Sequence, residues 1–515
     1  MRFVKFFRSL SLRLGIIIIL LILQICVIVG VTGFIMFRFP VVSYIGYFVS
    51  LLVFLFILQK NEASAYKMTW IIIILLVPSV GGVVYLLYGK EHRARRKVEA
   101  HMQEHALIAK LLDIDENLPD ASQVECDRMY SLMQYVRTST SYHAYENTET
   151  KYYPFGEYMF DDMLKDINSA ENFIFLEYFI INKSGMWNRL LEALERKAAE
   201  GVEVRVIIDD IGSQRLFTNS YISQLRTKKI RVLRFNPLIP LLFVFMNNRD
   251  HRKILVVDGK SAFVGGLNIA DEYINKNKRL GMWKDTGLRL KGDAVWSFTL
   301  MFIEMWDTFC KKEERINDHI TYKLSTTDEK ITTDGFVLPY GDSPLDKHRL
   351  GENIYLDILN QAKDYVYIFT PYLIISEKMI HALQMAAMRG VEVKIVTPGI
   401  PDKKIVNRLT KSYYNCLLEV GVRIFEYEPG FLHAKGFVCD DKIAVVGTIN
   451  LDYRSLYLHF ECAALLYNTS GIIEMRDDAL DAISQSREVF LDERKAVRMV
   501  EMVFDAFLHL FAPLL

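Results

Sequence analysis

From residue 251 the chain reads HRKILVVDGKSAFVGGLN, and from residue 433 it reads HAKGFVCDDKIAVVGTIN. Each stretch sets a histidine two residues before a lysine (His251 and Lys253, His433 and Lys435). An aspartate follows five residues on (Asp258, Asp440), and then a Gly-x-x-Asn (Gly265 to Asn268, Gly447 to Asn450). Alone, each stretch offers one imidazole and one ammonium group. Lining one cavity, the pair offers two lysines and two asparagine amides for the non-bridging oxygens of a phosphodiester. One imidazole then attacks phosphorus while the other protonates the departing alcohol. The ammonium groups supply the charge neutralisation that a divalent ion gives elsewhere, so this chemistry calls for no metal and no cofactor. Each imidazole also needs a carboxylate on its other ring nitrogen. Asp285 in WKDTGLRL and Glu461 in HFECA, shortly after the first and second stretches, are the candidates for that orienting role.

The elements that must carry these groups are strands. ILVV and FVC follow the two His-Lys pairs, and side chains two apart on a strand share a face, so each His looks the same way as its Lys. Asp258-Gly259 and Asp440-Asp441-Lys442 turn each strand into a hairpin partner, SAFVGG and IAVVGT. The surroundings repeat too. FIFLEYFI (173–180) matches YIFTPYLI (367–374), GVEVRVIID (201–209) matches GVEVKIVTP (390–398), and IRVLRFNP (230–237) matches VRIFEYEP (422–429). Between the first two members of each set lies a helical stretch, 186–201 or 376–390, with Gly at its end. Strand, helix, strand in this order makes a βαβ unit. The fold expected is therefore α/β, two repeats (141–325 and 326–515) related by a pseudo-twofold axis.

The duplicated HxKxxxxD, followed after six residues by GGxN or GTxN, resembles the phospholipase D superfamily. NLDYRSLYLHFEC (450–462) and an anchor closing on GGVVYLLYG are similar to its bacterial cardiolipin synthase branch. The resemblance implies a phosphohistidine intermediate and two-step transfer with retention at phosphorus. It casts His251 as nucleophile and His433 as general acid and then base. It also implies phosphatidylglycerol as donor and acceptor, with cardiolipin and glycerol as products. Where the second copy has Thr448 the first has Gly266, and the family's hydroxyl at that place lines the phosphate. Gly266 and Thr448 thus join Asn268 and Asn450 as phosphate-binding candidates, with the halves contributing unequally. Asp258 and Asp440 are members of the catalytic motif by resemblance, but their place after the strand suggests that they hold the loop.

Ahead of the repeats, residues 1–90 carry three uncharged runs, at about 14–37, 39–59 and 68–89. Each approaches the ~20 residues that cross a bilayer core. Three in series read as a multi-pass anchor in the cell membrane rather than a signal peptide. Basic residues precede the first run (Arg2, Lys5, Arg8, Arg13) and follow the third (KEHRARRK, 90–97), and the positive-inside rule wants both in the cytoplasm. Three crossings would separate them, so either one run is a short or re-entrant segment or one basic cluster lies on the unexpected side; the catalytic part is expected on the cytoplasmic side. Residues 91–140 read as a polar helical linker. Cys26, Cys126, Cys310, Cys416, Cys439 and Cys462 lack metal-type spacing and read as free thiols.

The substrate needs a separate argument, because a phosphodiester pocket can also cut DNA. Residues 237–246, in NPLIPLLFVFMNNRD, carry no charge, and two prolines make an interior strand awkward. A loop touching the bilayer beside the pocket is the sharper expectation. Val497, Val500, Phe504, Phe507, Leu508 and Phe511 form the stripe of an amphipathic C-terminal helix, docked or interfacial. The expected partners are phosphatidylglycerol, cardiolipin and the bilayer, with no nucleic acid, since the net charge is zero and no basic stripe is present. The rivals are a hydrolytic phospholipase D, a transferase with another donor or acceptor alcohol, a membrane-tethered nuclease and an inactive scaffold. His101 to His105 fits the zinc pattern H-x-x-E-H; in a polar helix with no third ligand in view, two solvated histidines are expected.

Overall fold

A computed structural model describes residues 38–60, 64–89, 95–112, 127–238, 247–316, 318–323, 335–346 and 348–494, with scattered positions between 19 and 34 and between 505 and 509. The chain divides into two compact units. One is Met1–Arg96 with Asn236–Asn248 and Val503–Leu515, and the other is Lys97–Phe235 with Arg249–Met502.

In the first unit the helix Pro40–Gln59 starts on a proline, whose missing N–H is harmless in a first turn, and runs uncharged for 20 residues. It is long and apolar enough to cross a membrane. The third apolar run, expected as a further span, is instead broken into helices Ser64–Leu76 and Gly81–Tyr88 around a turn at Val77–Val80. Pro78 lacks the N–H that would continue the helix. At 1.5 Å per residue, the eight residues beyond the turn cover only about 12 Å. The multi-pass expectation is corrected accordingly: among the described residues one helix has spanning length. Most of the run 14–37 lies outside them. Small residues seat the long helix on the broken one. Gly82 N–H donates to Ser50 Oγ at 2.9 Å, and a Cβ on Gly82 would fall 2.5 Å from Ser50 Cα.

The second unit is built on two sheets. The first contains β1 (Thr148–Tyr153), β2 (Phe173–Tyr178), β3 (Glu203–Asp209), β4 (Ile230–Phe235), β6 (Lys253–Val257), β7 (Ser261–Gly265) and β9 (Gly287–Gly292), in the order β1-β9-β7-β6-β2-β3-β4. The second contains β10 (Phe336–Asp342), β11 (Tyr365–Phe369), β12 (Glu392–Pro398), β13 (Arg423–Tyr427), β15 (Gly436–Cys439), β16 (Ile443–Gly447), β17 (His459–Tyr467) and β18 (Ser486–Val489). Their order is β10-β17-β16-β15-β11-β12-β13-β18. The shared core order, hairpin then parallel strands, makes the fold a duplicated α/β one. The crossover helices are capped alike. Ser184 Oγ accepts from Trp187 N and Gly201 closes the helix at φ 103°; Ser376 Oγ accepts from Met379 N, and Gly390 follows at φ 94°.

Helix Val295–Phe309 is apolar nearly all round and correspondingly buried, packing on strands of both sheets, β6 and β10 among them. It carries the buried Glu304, which corrects the expectation of two solvated histidines. On helix Arg95–Leu112, His101 is 5% exposed, and the Nδ1 atoms of His101 and His105 lie 3.7 and 3.0 Å from Glu304 Oε1. His105 is pushed up by that contact, while Glu304 falls to about 2 through the two histidines and Arg252, against the opposing effect of burial. His101 is held down by burial, so the His105–Glu304 ion pair, with the buried His101 ring beside it, ties the helix to the core. Residues 239–246 of the expected bilayer loop, and nearly all of the terminal stripe, lie outside the described residues.

Two short strands join the repeats. β5 (Arg249–Asp250) runs parallel to β17, with Arg249 opposite His459 and Asp250 opposite Phe460. β14 (Gly430–Leu432) runs parallel to β8 (Met282–Lys284), with Phe431 opposite Trp283 and Leu432 opposite Lys284. Each joins the residues just before one motif to the far side of the other repeat.

Candidate active site

Both motifs begin where these short strands end. Lys253 opens β6 and Lys435 immediately precedes β15, and each ammonium group donates to the carbonyl of its own motif histidine. At the far end of each strand Asp258 (φ 53°) and Asp440 (φ 51°) adopt the left-handed turn conformation. Asp258 accepts from the backbone N–H of Glu171, Asn172 and Phe173 at 2.8, 2.7 and 2.8 Å. Asp440 accepts from Lys363, Asp364 and Tyr365 at 2.8, 2.9 and 2.8 Å. Grouped with the catalytic residues by motif, both are strand-end clamps.

The orienting carboxylates are exchanged between the repeats. His251 Nδ1 lies 2.9 Å from both oxygens of Glu461, and His433 Nδ1 lies 2.6 Å from Asp285 Oδ2. Register explains the exchange. Asp250 is opposite Phe460 and Leu432 opposite Lys284, so the next residue on each strand meets the carboxylate of the other half. His251 N donates to Phe460 O at 2.9 Å and His433 N to Lys284 O at 2.7 Å, which fixes both backbones. A carboxylate only accepts, so each Nδ1 carries the proton and each Nε2 keeps its lone pair for chemistry. Lys435 Nζ comes within 2.8 Å of His433 Nδ1. With that proton already directed to Asp285, the approach sets two donors against each other and opposes positive charge on either ring or ammonium group.

Thr448 and Gly266, phosphate-lining candidates in the sequence, sit behind these carboxylates. Thr448 Oγ1 donates to Glu461 Oε2 and is fully buried. A Cβ on Gly266 would lie 1.9 Å from Asp285 Oδ1, so the shorter carboxylate occupies the space a side chain would need. Thr448 therefore braces a carboxylate, and Gly266 makes room for one. Asn268 and Asn450 each commit one amide N–H five residues ahead, to Tyr273 Oη at 2.9 Å and Ser455 Oγ at 3.1 Å. Asn268 Oδ1 also accepts from Ile180 N at 3.0 Å.

Four buried nitrogen bases share this space, and none titrates normally. Burial, then Lys253, Lys435 and His433, hold His251 well below the usual imidazole range. His433 is lowered to about 4 by burial and then by Lys435, against the pull of Asp285. Lys253 falls to about 8 through burial, opposed first by Glu461, and Lys435 to about 7 through burial, opposed first by Asp285. Each imidazole is influenced by the ammonium group of the opposite motif, as one common site requires. The arrangement disfavours its own positive charge and favours an anion.

Sequence reasoning passed over His459, whose ring lies 5.4 Å from that of His251. The signal was present, since His459 stands two residues before Glu461 and shares its strand face. His251, His459 and Glu461 bring donor atoms within 4.8 Å of one another, a spacing compatible with a metal ion. Glu461 is already engaged with His251, and the neighbouring Lys253 and Lys435 oppose a dication there.

Residues 163–289 and 355–482 match the family described as "Cardiolipin synthase, PLD-like domain", and residues 48–90 match "Phospholipase_D-nuclease N-terminal". A cardiolipin synthase of Geobacillus kaustophilus is 34% identical over 465 residues, 88% of this chain and 90% of that protein. An uncharacterized protein of Streptococcus mutans is 43% identical over 90% of this chain and 99% of its own length. Among solved structures, a phosphatidylserine synthase of Haemophilus influenzae shares the fold at TM-score 0.55 and 17% identity, covering 75% of this chain and 98% of that one. The chain belongs to the bacterial cardiolipin synthase family of the phospholipase D superfamily, and it is a phosphatidyltransferase of that type.

Proposed function

We propose that the chain transfers a phosphatidyl group from one phosphatidylglycerol to another, giving cardiolipin and glycerol. The observation that carries the proposal is the exchanged pair of His–carboxylate arms, each imidazole lying within the influence of the other motif's lysine. His251 Nε2 attacks phosphorus, the P–O bond to glycerol breaks, and glycerol leaves with a proton from His433. The hydroxyl of a second phosphatidylglycerol gives its proton back to His433 and attacks phosphorus, and the P–N bond to His251 breaks. Lys253, Lys435 and the remaining N–H groups of Asn268 and Asn450 hold the non-bridging oxygens throughout. His433, lowered to about 4 in the empty site, becomes a usable acid when the anionic phosphodiester arrives and offsets the lysines.

Transfer rather than hydrolysis is favoured by confinement. We take Pro40–Gln59 as the membrane span and place the catalytic unit on the cytoplasmic side, which the basic run 90–97 favours. Held at the bilayer, the site meets lipid hydroxyls at high effective concentration. Incubating purified protein with headgroup-labelled phosphatidylglycerol in detergent tests the reaction. Released glycerol with cardiolipin supports it. Phosphatidic acid alone means hydrolysis, and no turnover removes the proposed substrate. Protease accessibility in intact cells tests the sidedness.

A further inference from the structure

The duplicated site sets a ring beside each motif histidine at equivalent positions. Trp283, two residues before Asp285, lies against His433 with centroids 5.5 Å apart and planes at 45°. His459, two residues before Glu461, lies against His251 at 5.4 Å and 43°. The same kind of pairing sets both, Phe431 opposite Trp283 and Arg249 opposite His459. Geometrically the rings match; chemically they do not. Indole only donates, whereas imidazole donates, accepts and exchanges protons.

Both ring nitrogens of His459 are buried and make no hydrogen bond. Nδ1 stands 3.8 Å from Glu461 Oε1, just beyond bonding distance, and the side chain is 10% exposed. A polar ring left in this condition calls for an explanation. The charged and titratable groups acting on it are Glu461 on its own strand, His251 of the other repeat and Arg454 from the preceding helix. Burial, with His251 and Arg454 beside it, lowers the ring to about 3, so at neutral pH it is an uncharged donor and acceptor. Each of the two carboxylates already has one donor besides its histidine. Asp285 Oδ1 accepts the backbone N–H of Thr286 at 3.0 Å. Glu461 likewise accepts from Thr448 on Oε2 and faces His251 with both oxygens, and among the described residues only on this arm does a further ring nitrogen, that of His459, stand within reach of Oε1.

We infer that His459 is a positioning residue of the His251 arm, closing on Glu461 Oε1 as an N–H donor when His251 becomes bonded to phosphorus. The inference rests on the proposed attack by His251. As the P–N bond forms at Nε2, the ring turns cationic and its Nδ1 proton is drawn toward Glu461. A second donor on Oε1 lowers the basicity of the carboxylate, and the proton stays on Nδ1. The phosphoimidazolium then remains electrophilic, and its P–N bond breaks readily when the acceptor hydroxyl attacks. The backbone N–H on Asp285 Oδ1 corresponds to the Thr448 hydroxyl on Glu461 Oε2, so the further donor is confined to the His251 arm.

The test compares His459→Phe, which keeps a ring without nitrogen, with His459→Asn, which keeps an N–H near the Nδ1 position. Both are made in the full-length protein and assayed on phosphatidylglycerol in detergent, after thermal midpoints are shown to match wild type; His459→Leu replaces the Phe variant if that does not fold. The Phe variant is expected to lose roughly tenfold to a hundredfold in kcat, the scale of lost support behind a reacting group. Its KM stays within about twofold, phosphorylated His251 peptide accumulates in quenched samples, and Asn restores most of the rate. An unchanged kcat, a raised KM at constant kcat, or failure of Asn to restore the rate overturns the positioning role. If the wild type releases only phosphatidic acid, the acceptor assignment fails while the same comparison is made on hydrolysis. Phosphate found on His433 instead of His251 overturns the inference together with its premise.

Discussion

Glu461 accepts His251 Nδ1 on both oxygens at 2.9 Å, although 210 residues separate the two. Neither repeat holds its own histidine. A single repeat therefore offers an imidazole without its carboxylate, and catalysis depends on the β5–β17 and β14–β8 junctions.

Glu461→Gln and Asp285→Asn test that dependence. An amide can present N–H toward Nδ1 and favour the wrong tautomer, leaving Nε2 protonated. In serine hydrolases the corresponding change costs about four orders of magnitude in kcat. A loss of at least about a hundredfold in kcat is expected for each variant, with thermal midpoints little changed. Activity within tenfold of wild type in either would remove the orienting role.

Gly266→Ala and Thr448→Ser should part company. An alanine Cβ at 266 would fall 1.9 Å from Asp285 Oδ1, so the carboxylate must shift and release His433. A strong fall in kcat is expected. Serine at 448 keeps the hydroxyl on Glu461, and most activity should survive, while Thr448→Val, which removes that donor, should fall between them. Steady-state kinetics on the three variants checks the order.

The strand-end aspartates are expected to act on stability rather than on the reacting phosphorus. Asp258 is 2% exposed and satisfies three backbone N–H groups, so Asp258→Ala should cost about 3 kcal/mol, whereas the more exposed Asp440 should cost about 1 kcal/mol. Urea melts give the difference. The folded fraction should keep kcat within a few-fold, and a selective loss of kcat without loss of stability would return these residues to the reacting set.

The pH dependence follows from the depressed bases. In the empty site Lys435 and Lys253 hold their protons only below about 7 and 8, so affinity for an anionic phosphodiester, and with it kcat/KM, should fall as pH rises through that window. His251 is lowered, so it stays neutral across neutral pH and the acid limb lies below the ordinary imidazole value of 6.5. Binding of an anion raises all four bases, so complex formation at pH 7.5 should take up protons. Calorimetry with glycerophosphoglycerol in buffers of different ionisation enthalpy reads that uptake; proton release would contradict it.

The sequence by itself determined the duplicated βαβ units and the His-Lys hairpins, because these follow from strand alternation, turn chemistry and repetition along the chain, and it offered Asp285 and Glu461 as the carboxylates shortly after each motif. Strand periodicity also marked His459 as sharing a face with Glu461, although nothing local gave that face a neighbour. It did not determine that the carboxylates are exchanged, that Thr448 and Gly266 sit behind them, or that the third apolar run folds back at Pro78. Those were decided by parallel pairing between β5 and β17 and between β8 and β14, and by the fit of Gly82 against Ser50. Contacts between segments distant in the chain depend on three-dimensional register and shape, which local patterning does not encode.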